Sequence, residues 1–149
     1  MIVEELRAKG LVERVPADVP QANRLMARAQ KDLKTAQALV GTDPEWAYVI
    51  AAHAMLRAAR ALTLAEGLRA RGRDQARTLL QVARGFVGEG EGPPVDDLDQ
   101  IRRKGHHFLE SADRPIPLYE LEATLNGAEQ WVRGVAGRVY AKDRQTRLL

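Results

Sequence analysis

Apolar residues recur at intervals of three and four along most of the chain, and glycine and proline interrupt that rhythm at a few places. Leu25, Met26, Ala29, Leu33, Ala36 and Val40 share one face of a helix predicted over 20–40. Gly41-Thr42-Asp43-Pro44 then stops one helix and starts the next, with Gly after the end and Pro in the first turn. Further breaks fall at Gly67 to Gly72, Gly88 to Pro94 and Arg114-Pro115-Ile116-Pro117. They predict helices over 44–66, 72–87, 94–110 and 117–141. In the last, Leu118, Leu121, Leu125, Ala128, Val132, Val135 and Val139 form a seam suited to a neighbouring helix. Its Gly127, Gly134 and Gly137 each weaken it by roughly 1 kcal/mol relative to alanine, so tertiary packing must hold it. Residues 1–18 read as a short charged leader, 19–141 as one helical-bundle domain, and 142–149 as a frayed polar tail.

The second helix carries two stripes. Ala47, Ala51, Ala54, Ala58, Ala61 and Ala65 make a small-residue seam that lets another backbone approach closely. Beside it His53, Arg57 and Arg60 stack at i, i+4 and i+7. That stripe reads either as the solvated edge of an amphipathic helix or as the lining of a groove that accepts phosphates.

Composition supports an all-α fold. Alanine is abundant and aromatics make up 5% of the 149 residues, an amount of chain that suits one domain with its own core. The absence of cysteine excludes disulfides and thiolate metal sites, and three histidines leave little for an imidazole site. No metal or cofactor is expected. No apolar run approaches the ~20 residues of a membrane span, and Met1–Leu11 has no signal-peptide core, so a cytoplasmic protein is expected. A net charge of +3 permits contact with nucleic acid without arguing for it.

Chemistry concentrates in the fourth helix. Pro93-Pro94-Val95-Asp96-Asp97 suits a helix N-terminus, and Arg102-Arg103-Lys104-Gly105-His106-His107 follows. Asp99 stands three and four residues before Arg102 and Arg103, which a salt-bridged helix face would explain. His106 or His107 can likewise pair with Glu110. The same residue types suit metal-free RNA cleavage, in which histidine moves protons and arginine holds the charged phosphorane. Residues five apart do not share a face of an ideal helix. Arg102 and His107 therefore converge only if the helix loosens at Gly105 or a partner chain completes the site.

Trp46-Ala47-Tyr48, the run from Ala52-His53-Ala54-Met55 to Arg57-Ala58-Ala59-Arg60-Ala61-Leu62, and Ala65-Glu66-Gly67 resemble the second helix of the HEPN superfamily. Phe86-Val87, a short turn and an Arg-rich helix follow in the same order, so the resemblance spans about Trp46 to Val139. It implies an up-and-down bundle of four to five helices. Ribonuclease members carry an arginine, four to six residues, then a histidine, a pattern met here by Arg102 and His107. By resemblance the chain is a metal-independent endoribonuclease of toxin type. Two copies in a homodimer would share one cleft, with Arg102 on the phosphate and His107 in proton transfer. Arg103, His106, His53, Arg57 and Arg60 would then contact the RNA, and a nucleotidyltransferase would serve as antitoxin partner. Leu109 (or Phe108, counting from His106) stands where members silenced by such a partner often carry a tyrosine, and neither can be adenylylated. The alternative is a non-catalytic HEPN domain that binds a nucleotide, a nucleic acid or a partner protein.

Overall fold

The computed structural model describes residues 2–111 and 115–148. Six helices make up most of it: α1 (Ile2–Ala8), α2 (Val19–Ala38), α3 (Pro44–Ala65), α4 (Gln75–Phe86), α5 (Val95–Glu110) and α6 (Leu118–Leu148). The all-α expectation holds, and all five predicted helices are present. Aspartates start three of them. Asp18, Asp43 and Asp74 each accept a hydrogen bond from the backbone N–H three residues on, at 3.1, 3.1 and 3.3 Å.

α3 lies at the centre and packs against α2, α4, α5 and α6. Its alanine seam is wholly buried from Ala47 to Ala65, which is what allows so many neighbours to approach one helix. α5 runs antiparallel to α3, with Gly105 against Ala52 and Phe108 against Tyr48. α6 returns parallel to α3, and the Trp131 indole N–H donates to the Met55 carbonyl at 3.1 Å. The predicted seam of α6 is buried from Leu121 to Val139, while Leu118 is exposed.

The glycines of α6 have a packing role. A Cβ at Gly127 would stand 2.9 Å from the Pro93 ring, and one at Gly134 would stand 2.9 Å from the Glu91 Cβ. They make room for the segment 88–94, which lies across α6. Arg84 fastens that segment from the other side by donating to the carbonyls of Gly88, Gly92 and Pro93. Its guanidinium stacks 4.7 Å from the Trp131 ring centroid. The helix propensity lost at Gly127 and Gly134 is thus exchanged for contact with a crossing loop.

Two expectations about the chain ends are corrected. Residues 2–18 are folded: α1 buries Val3 and Leu6 in a small second core with Leu68 and Val82. A two-stranded antiparallel ribbon, β1 (Val12–Arg14) and β2 (Leu68–Ala70), ties them to the end of α3. Gly67 makes that tie with φ +68°, and any Cβ there would meet the Val15 carbonyl oxygen at 2.7 Å. Strands of three residues are too short to leave an alternation that a sequence can show. At the other end α6 continues through 142–148, with Lys142 3.8 Å from Glu66 and Arg147 3.3 Å from Asp143. These ion pairs accompany a helix whose last turns are exposed.

Candidate nucleic-acid interface

α5 is continuous from Val95 to Glu110, so Arg102 and His107 are held on different faces. The loosening at Gly105 that would let them converge within one chain is not present, which leaves the other alternative, completion by a partner chain. That glycine is buried, and a Cβ there would come within 2.9 Å of the Ala52 Cβ. It serves close helix packing.

Asp99 organises the α4-facing side of α5. Its side chain is only 5% exposed, and its Oδ1 accepts from Arg102 Nε at 3.0 Å and Nη2 at 2.8 Å. Its Oδ2 accepts from Arg77 Nη1 at 3.1 Å and lies 3.1 Å from Arg103 Nε. Burial opposes the charge on Asp99, but Arg102, Arg77 and Arg103 together outweigh it and hold the carboxyl below the usual carboxylate range. Arg77 also donates to Asp96 at 2.8 Å, and its own pKa is raised by its bonds to Asp96 and Asp99. Asp74, the cap of α4, stands 3.6 Å from Arg102 and 3.9 Å from Arg103. The spacing had marked Asp99 with Arg102 and Arg103. It gave no sign of Arg77 or Asp74, which arrive from another helix.

The outward stripe of α5 holds Gln100, Arg103 and His107, at i, i+3 and i+7. Arg103 is 63% exposed against 25% for Arg102. The structure thus brings Arg103 and His107 to one solvent-facing stripe and turns Arg102 away from it. His106, also exposed, lies beside that stripe and faces Glu110 at 3.2 Å, as the sequence suggested.

His107 borders a cleft of about 480 Å³ with Lys104, Phe108, Ile116 and Glu120. Lys104 pairs with Glu120 and lies over two rings, 5.7 Å from Tyr48 and 5.9 Å from Phe108. Tyr48 is buried, and burial pushes its phenol up to about 12, so it stays protonated at neutral pH. This cage was not anticipated, because Tyr48, Lys104 and Glu120 come from three helices.

The stripe of α3 divides. His53 is exposed, while Arg57 turns onto Asp32 of α2 in a pair that Arg28 joins at 3.2 Å from the same carboxylate. Arg60 borders a cleft of about 410 Å³ between α3, β2 and the start of α4. Among the described residues no group of three or more His, Cys, Asp or Glu could hold a metal ion, and no helix is long and apolar enough to cross a membrane.

No protein-family model matches the chain, and neither the curated proteins nor the solved structures compared with it give a match.

Proposed function

We propose that this chain is an RNA-binding helical module whose contact surface is the outward stripe of α5. The observation that carries this reading is the shared exposure of Arg103, His106 and His107 on one regular helix, with Gln100 beside them. Guanidinium and imidazole N–H donors on a rigid rod can meet successive phosphates, and Gln100 adds an amide donor. The bonding of Arg102 to Asp99 favours binding over cleavage, because a phosphate would have to compete with a buried carboxylate for that guanidinium. Arg102 is a positioning residue in this reading: through Asp99 it braces α5 against α4.

A second reading, metal-independent RNA cleavage by a homodimeric HEPN-like toxin, draws on one specific feature. Arg103 and His107 lie one turn apart on the same exposed stripe, where two copies meeting along α5 would gather both pairs. The test uses a 5′-labelled single-stranded RNA in EDTA at low salt, followed by anisotropy and by gel. Saturable binding that weakens several-fold in Arg103→Glu, with intact RNA, supports the module. Cleavage to 2′,3′-cyclic phosphate ends, lost in His107→Ala, would establish the second reading instead. Binding that ignores Arg103→Glu would overturn the assigned surface.

A further inference from the structure

The cleft between α3, β2 and the start of α4 gathers arginines from separate elements. Arg60, Arg69 and Arg71 all border it, and no carboxylate does. Glu13 of β1 is the one acidic group tied to them among the described residues. A single oxygen of it takes both Arg69 and Arg71, the latter at 3.2 Å. Arg60 is exposed and has no carboxylate partner among the described residues. Three guanidinium groups against one carboxylate leave the cleft two positive charges in excess. The walls between them are largely apolar, with Val15, Leu64 and Leu79 joined by the polar side chains of Thr63 and Gln75. At about 410 Å³ the space matches the range of small-molecule pockets, apolar walls with a few placed polar groups.

From this juxtaposition we propose that the cleft is a binding site for a small phosphate monoester carried on a flat apolar group. The dianion of a monoester matches the excess of two charges, whereas a carboxylate or a phosphodiester would leave one guanidinium uncompensated. Arginine forks suit phosphate oxygens bidentately. The apolar walls then account for the rest of the ligand. The site is independent of the α5 stripe and stands or falls without it. Glu13 is its built-in competitor, since a phosphate entering the cleft must share Arg69 and Arg71 with that carboxylate. The sequence stripe had pointed to Arg60; Arg69 and Arg71 join it only because β2 folds back beside α3.

The test titrates the full chain with phenyl phosphate, inorganic phosphate and phenol at low salt, read by amide chemical shifts. Phenyl phosphate should bind at least about tenfold more tightly than either fragment, with shifts centred on residues 60–79. Arg60→Ala should weaken it by about tenfold, the loss expected for one charge-assisted contact. Glu13→Gln should tighten binding, and Arg133→Ala, which removes an equal charge elsewhere on the surface, should leave it unchanged. Equal weak binding of all three probes, or an Arg60→Ala protein as tight as the parent, would overturn the proposal. So would shifts centred on α5.

Discussion

Arg102 donates two hydrogen bonds, at 3.0 and 2.8 Å, to one oxygen of Asp99, a carboxylate lying three residues earlier on the same helix. The second oxygen faces Arg77 and Arg103, so one buried anion joins α4 to α5. An arginine–carboxylate pair within one turn of a helix is ordinary at a surface and worth little there. Here the carboxylate is buried and the third arginine belongs to a different helix, which turns a local pair into a tertiary tie.

Asp99→Asn should therefore destabilise the protein by about 1–3 kcal/mol, because it keeps the shape but leaves three arginines without their shared anion. The partial exposure of those arginines keeps the loss below that of a fully buried pair. Urea unfolding followed by circular dichroism measures it. A loss no larger than that of an exposed pair, such as Arg133 with Glu129, would show that the tie contributes nothing special.

The same carboxylate shapes the acid limb of stability. Its folded pKa lies below the unfolded value of about 3.9, so its contribution is fully present above that value. It is lost as pH falls through the folded pKa. The urea midpoint should drop with falling pH below about 4, and Asp99→Asn should drop less over the same window. Parallel curves for the two proteins would contradict this assignment.

Two glycines of the bundle should respond oppositely to alanine. Gly105→Ala gains helix propensity but places a methyl 2.9 Å from the Ala52 Cβ, and overpacking of this kind costs about 1–3 kcal/mol. Gly137 is exposed with nothing within 4 Å of an added Cβ, so Gly137→Ala should stabilise by about 0.5–1 kcal/mol. Thermal unfolding of the two variants should move in opposite directions. Stabilisation by both would mean that α5 and α3 separate at no cost.

Much of the fold was legible because its signals are local. Period and punctuation located five helices, and the alanine spacing of α3 marked a seam for close helix packing, since both depend only on neighbours along one helix. Part of the α5 site was legible for the same reason: Asp99 with Arg102 and Arg103, and His106 with Glu110, are contacts between successive turns. The exposed pairing of Arg103 with His107 was also implicit in the spacing. It was obscured by reading Gly105 as a point of slack. A glycine in a helix looks like weakness from within the helix, and only the position of Ala52 shows that it makes room for a neighbour.

What the sequence by itself determined, then, is five of the six helices, their buried faces and the pairs one turn apart, because helical geometry makes these properties of spacing alone. Tertiary structure decided the rest. It folded residues 2–18 onto the end of α3, brought Arg77 and Asp74 to Asp99, and set Lys104 against Tyr48 and Glu120. It also gathered Arg60, Arg69 and Arg71 around one cleft. Each of these joins residues from separate elements, and their meeting depends on how the elements cross, which is fixed by the packing of the whole core.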